Sequence, residues 1–251
     1  MLIENNYGSP EPRGRVGKYL LYALGEIILV VVGILVALQI NNWNEQRKLK
    51  RLQGVYLNRL VNDLDQDLTN IEYVQSEIIT YQEVITDFVN SINTVQDEEH
   101  LFKSVTAYFE KGWLISEFVP TANTYTDLSQ TGNMKVIRNT ELVNDIIEYY
   151  GYMEQIENSN NVNKNWITPI DQAVAKETAA FEIDPHTRSL FSTKDKINSI
   201  KNLLLQKELL ERDAAGHYWI NGSLKRNLQS IKGLTENLKQ AIQNELTSEV
   251  K

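Results

Sequence analysis

Residues 19–40 read YLLYALGEIILVVVGILVALQI, 22 residues in which only Glu26 and Gln39 are strongly polar. A helix rises about 1.5 Å per residue and the hydrocarbon core of a bilayer is about 30 Å thick, so roughly 20 such residues cross it. No run of this kind can be hidden in a small fold without most of the fold being built around it. A cleaved signal peptide has a shorter apolar core and a small-residue cleavage site. Here the run leads instead into Gln39-Ile40-Asn41-Asn42-Trp43, and the segment reads as an uncleaved anchor with Tyr19, Tyr22 and Trp43 near the two interfaces. The chain then divides into a tail (1–18), a transmembrane helix (19–41) and a soluble domain (42–251).

Charge supports that division. Residues 1–51 carry seven Lys/Arg against four acids, leaving 18 basic and 29 acidic residues beyond, so residues 52–251 are near −11 and residues 1–51 near +3. An acidic domain repels phosphate backbones, which argues against nucleic-acid binding. With no cysteine, disulfides, thiolate metal sites and cysteine nucleophiles are all excluded. Orientation is less sharply encoded, because Arg13, Arg15 and Lys18 precede the helix while Arg47, Lys48, Lys50 and Arg51 follow it. The commoner arrangement for an N-terminal anchor, with the tail left inside and the domain exported across the membrane, is the expectation for this single-pass chain.

Glu26 is the costly residue, since an acid at the centre of a membrane helix costs on the order of 3 kcal/mol on insertion scales. Ala23, Val30, Gly33 and Ala37 share its helical face, and Gly33-x-x-x-Ala37 lets two helices approach closely. The stripe predicts a helix–helix interface, with another copy or with a different membrane subunit. Two other readings stand beside it: a protonatable group in an ion path, and a neutral Glu26 bonded to Tyr22 in a helix that only anchors.

Residues 18–45, KYLLYALGEIILVVVGILVALQINNWNE, with the Gly25-Glu26 pair and the Asn41-Asn42-Trp43-Asn44-Glu45 exit, resemble the anchor of a family of uncharacterised bacterial single-pass membrane proteins, a domain of unknown function. Residues 125–150, with TDLSQTGNMKVIRNTELVNDIIEYY within them, are similar to that family's pattern of helix, Gly-Asn turn and helix ending in a Tyr pair. The resemblance implies a bacterial, membrane-anchored helical domain, which with the exported orientation makes it a single-pass inner-membrane protein with a periplasmic domain, and brings no activity with it.

Beyond Asn44, apolar residues recur every three or four positions: Leu49, Leu52, Tyr56, Leu60, Leu64, Leu68, Ile71 and onward to Ile92. That is one long amphipathic helix, close to a heptad after Leu68 and able to run straight out of the membrane, either as a coiled coil or as the longest member of a bundle. After a loop at 95–100, helices are expected at 101–114, from a Thr121 cap to Thr131, from Asn139 or Thr140 to about Glu157, and at 163–181, 192–213 and 221–249. Gly132 and Asn133 are expected to be left-handed, and Asp184-Pro185-His186 and Ala215-Gly216-His217 to be breaks. The fold class is therefore all-α: a transmembrane helix continuing into a long helix, followed by an antiparallel bundle.

A search for chemistry finds little. His100, His186 and His217 have no ligand spacing and read as surface or satisfied core residues, so no metal site is expected. Asp63, Asp65 and Asp67 mimic a calcium loop, but Leu68 stands where the loop needs glycine, and they read as a solvated face. Tyr149, Tyr150, Tyr152, Trp113, Trp166 and Trp219 read as core rather than as the walls of a small-molecule pocket. There is no phosphate loop or nucleophile elbow, so neither catalysis nor a cofactor is expected. The expectation is a structural or interaction protein. Its rivals are a sensory-type ligand-binding ectodomain, for which 18 residues before the membrane leave no room for an output domain, and an auxiliary subunit of an ion-driven complex.

Overall fold

The computed structural model describes residues 13–94, 97–191 and 195–248, and in residues 13–17 the backbone alone. The expected tail up to residue 12, Val95 and Gln96 of the expected loop, the expected helix start at Ser192 and the expected helix end at Glu249 lie outside these residues. Seven α-helices are present and no strand occurs among the described residues. The chain divides into two compact units, residues 1–53 and 54–251.

The described part of the first unit is a stretch of α1 (Arg13–Asn93). From Tyr19 to Ile40, sixteen large apolar side chains are 48–78 % exposed. The helix is long and apolar enough to cross a membrane, and none of its apolar window is buried within the protein.

In the second unit the remainder of α1 is joined by α2 (Glu98–Ala107), α3 (Asn123–Gln130), α4 (Thr140–Glu177), α5 (Ala180–Ile183), α6 (Lys196–Leu204) and α7 (Lys207–Ser248). The two long helices α4 and α7 pack on each other. The expected stripe on α1 is buried at Tyr56, Leu60, Leu64, Ile71, Val74, Ile78, Ile85, Phe88 and Ile92. At the turn after which the apolar spacing comes close to a heptad, Asp67 is fully buried while Leu68 is only half-buried. A second core gathers Phe88 and Ile92 of α1, Val105 of α2, Ile183 of α5, Leu203 of α6 and Leu210 of α7.

Several element boundaries depart from the sequence expectation. The helix expected at 101–114 begins three residues earlier, at Glu98, because Asp97 caps it by accepting from the Glu99 amide at 3.1 Å. It then widens into a π-turn (Tyr108–Gly112), in which the Trp113 amide reaches back to the Tyr108 carbonyl at 2.9 Å. Gly112 permits this, since a Cβ there would crowd the Tyr108 ring and Ile85. Thr121 does not cap α3, which starts at Asn123 with no side-chain cap of its own. Gly132 is left-handed at φ 68°, as expected, but Asn133 instead opens a 3-10 turn (Asn133–Val136). Asn139 does cap α4, accepting from the amides of Glu141 and Leu142 at 3.1 and 3.2 Å.

That helix does not stop near Glu157 but runs to Glu177, through Pro169. Between Met153 and Ile167 it buries no side chain, so the apolar periodicity lapses while the backbone bonds, which are local, continue. The break after Leu204 is a short turn, with the Leu205 and Gln206 amides donating to Asn202 and Leu203 carbonyls at 3.3 and 3.1 Å. Ala215-Gly216-His217 is no break and lies well inside α7. Gly216 sits there because a methyl group would overlap the side chain of fully buried Ile167 on α4, so the glycine sets how closely the two helices approach.

Candidate functional site

Two places concentrate unusual residues, one in each unit. In the first unit the stripe expected from the sequence lies on an exposed helix: every residue from Lys18 through Lys48 is exposed, Ala23, Glu26, Gly33 and Ala37 among them. A Cβ added at Gly33 would meet nothing within 4 Å, so its surface is open to an approaching helix. Where the apolar run ends, the Arg47 guanidinium lies 5.8 Å from the centroid of the Trp43 ring, a pairing suited to a boundary between hydrocarbon and water.

In the second unit the buried face of α7 carries Leu210, Ala214, Ile220, Leu224, Leu228, Ile231, Leu238 and Ile242, interrupted by the polar residues Asp213, His217, Asn221 and Thr235. Each of the four is at most 1 % exposed, and each meets a partner from another part of the fold. Asp213 accepts from the Tyr108 hydroxyl at 2.6 Å, and His217 Nε2 lies 3.0 Å from Asp171 Oδ1 on α4. Asn221 accepts from the Ser116 amide at 3.0 Å and donates to the Leu114 carbonyl at 2.9 Å. Thr235 Oγ1 lies 3.0 Å from the Tyr149 hydroxyl, which also donates to Asp67 at 3.3 Å. Replacing Asn221 by Ala strands two backbone groups of the extended segment after the π-turn. The expected loss is about 2 kcal/mol, read as a lowered denaturation midpoint of the full chain in detergent; an unchanged midpoint would show that the segment is held by other means.

The densest of these contacts is the group of Asp171, Asp213 and His217. One nitrogen of the imidazole and one oxygen of each carboxylate lie within 4.8 Å of one another. Asp213 and His217 are four residues apart on one helix and therefore share a face, while Asp171 comes from α4 with its side chain 29 % exposed. The π-turn presents Tyr108 to the same place: its ring is fully buried, stacked on Phe88 at 4.0 Å with 7° between planes. Burial first, and the Asp213 charge second, push the Tyr108 hydroxyl far above its ordinary range, so it stays a proton donor. Burial is also the main reason the Asp213 carboxyl is pushed up to about 6, with Asp171 adding to it and the Tyr108 hydrogen bond and His217 opposing it. Asp213 Oδ1 and His217 Nδ1 are buried without a hydrogen-bond partner.

Reading histidines one by one by sequence spacing missed this group. Asp213-x-x-x-His217 was the available signal; Asp171, 46 residues from His217, was not visible. His100 and His186 are exposed, as expected. Of the three acids at 63, 65 and 67, expected as a solvated face, Asp65 is exposed, Asp63 half-buried and Asp67 buried. Asp67 accepts from the Thr121 amide at 2.7 Å, Asp63 from the Thr124 amide at 3.1 Å, and Asp65 pairs with Lys239 at 2.5 Å. Of the aromatic set, Tyr149 and Tyr150 are core, whereas Trp166 and Trp219 meet edge to face at 5.9 Å on the surface.

No curated protein and no solved structure matches the chain. A family model described as a family of unknown function (DUF6090) matches residues 26–208, a span that takes in Glu26, Tyr108 and Asp171 and stops before Asp213 and His217. With most of its length matched, from within the exposed apolar helix to the start of α7, the chain belongs to this family of unknown function.

Proposed function

We propose that the protein is a membrane-anchored structural or interaction protein, held in a bacterial cell membrane by residues 19–41 and packing through that helix against a second copy or another membrane subunit. The observation that carries the reading is the bare apolar helix. Sixteen large apolar side chains exposed to water, each worth about 1.5–3 kcal/mol on burial, leave tens of kcal/mol that a bilayer supplies. The polar and small residues of the same helix, Glu26, Gly33 and Ala37, fall on one face, where a protein partner relieves the acid and fits the glycine. In this reading residues 42–251 lie on the periplasmic side and carry contacts rather than catalysis.

Because the chain has no cysteine, single cysteines report proximity without background. Gly33→Cys and Ala37→Cys in membranes are expected to form disulfide-linked dimers, or adducts with a co-purifying subunit, while Leu35→Cys on the opposite face stays monomeric. Glu26→Gln keeps membrane insertion and crosslinking, because the amide retains a hydrogen-bonding head, and Glu26→Leu lowers the crosslink yield several-fold. A strictly monomeric particle with no co-purifying partner would overturn the interface. Release of the chain from membranes by alkaline carbonate would overturn the anchor itself.

A further inference from the structure

We propose that Asp171, Asp213 and His217 form a binding site for one divalent transition-metal cation of the Zn²⁺ type, which ties α4 to α7. The donor set is an imidazole nitrogen and two carboxylate oxygens, the ligands that Zn²⁺ takes besides thiolates. Bonds of ~2.1 Å place tetrahedral donors about 3.4 Å apart. The three atoms already lie within 4.8 Å of one another, so small side-chain rotations close the shell.

Three features go beyond proximity. Asp213 Oδ1 is fully buried and has no hydrogen-bond partner, although its sister oxygen is held by Tyr108 at 2.6 Å. A hydroxyl that fixes one carboxylate oxygen and leaves the other bare is how carboxylate ligands of metals are oriented. Next, no lysine or arginine is ion-paired with either carboxylate among the described residues, so two acids and one imidazole gather in a largely buried place with a deficit of positive charge. A dication supplies it. Last, Gly216 lies between the two α7 ligands in sequence and permits close approach of α7 to α4, the helix carrying the third ligand. The cation takes the place of the hydrogen bond between His217 Nε2 and Asp171 Oδ1, with the neutral imidazole carrying its one proton on Nδ1. Asp171, the most exposed of the three, is the side from which the cation enters.

The test uses the full chain in detergent carrying His100→Gln and His186→Gln, so that His217 is the remaining histidine, with Zn²⁺ alone as the probe. Equilibrium dialysis is expected to find one Zn²⁺ per chain, and Asp171→Asn in that background is expected to weaken affinity by about 10-fold or more. Tyr108→Phe is expected to weaken it by roughly 10-fold through loss of the hydrogen bond that orients Asp213. Far-UV circular dichroism confirms that each variant keeps its helices. A readout free of ligand substitutions accompanies these: Co²⁺ in place of Zn²⁺ is expected to give visible ligand-field bands and to shift the His217 imidazole resonances paramagnetically. Stoichiometry near zero, affinity unchanged in Asp171→Asn, or His217 resonances unmoved by Co²⁺ would each overturn the site.

Discussion

Replacing Tyr108 by alanine is expected to lower the stability of the helical domain by about 3–5 kcal/mol, the range found when a buried aromatic ring is deleted and its cavity only partly collapses. The ring has no exposed surface, stacks on Phe88 and meets Phe109 edge-on at 5.3 Å. Its removal opens a hole beside Ile85 and Val105 in the second core. Deletion also strands Asp213, which loses its donor inside the protein. Tyr108→Phe separates the two effects: it keeps the stack and removes only the hydroxyl, for an expected cost of about 1–2 kcal/mol. Chemical denaturation of the full chain in detergent, followed by circular dichroism, reads both. An alanine variant within 1 kcal/mol of the parent would mean that the π-turn does not hold the ring where it is described.

Asp67→Ala is the second large effect, at about 3 kcal/mol, because it leaves the Thr121 amide and the Tyr149 hydroxyl facing an apolar methyl group. The same residue sets a pH dependence. Burial raises its carboxyl above the usual range, Asp63 adds to the rise, and the hydrogen bonds from Thr121 and Tyr149 oppose it without cancelling it. The folded state therefore holds this proton more tightly than the unfolded state does. The stability so gained is fully present below the ordinary Asp range and is lost as pH rises through the elevated folded value. Asp67→Asn cannot ionise, so acidification from neutral pH should stabilise the parent relative to this variant. Unfolding free energies of the two proteins across that interval provide the check; curves that run parallel, or a parent that loses ground on acidification, would refute the assignment.

Much of the architecture was written in local patterns. The three-and-four spacing on α1 located its buried face, Gly132 marked a left-handed turn, and Asn139 marked the start of α4, because each is decided by its immediate neighbours. What the sequence concealed was decided across the fold. The apolar spacing lapses from 154 to 166 with no side chain buried there, so one helix looked like two. Gly216 looked like a stop because glycine commonly is one, whereas its reason lies in Ile167, some fifty residues earlier on another helix. Asp67 looked solvated because acids usually are, Asp213 stood only as the end of an expected helix, and nothing in their own neighbourhood announces Thr121, Tyr149 or Tyr108. In the exposed helix, by contrast, the apolar run was legible at once, since hydropathy and length suffice there.

The start of α3 is held by carboxylates that belong to α1, from 54 and 61 residues earlier in the chain. Eight residues are too few to keep a helix in water unaided, and this one brings no cap of its own. Its helicity is therefore conditional, present when Asp63 and Asp67 are docked and absent when they are not. In kinetic terms α3 is a late element whose formation waits on a long loop closure. In the full chain carrying Asp63→Ala and Asp67→Ala, the segment from Thr121 to Gln130 is expected to be the first to lose amide protection.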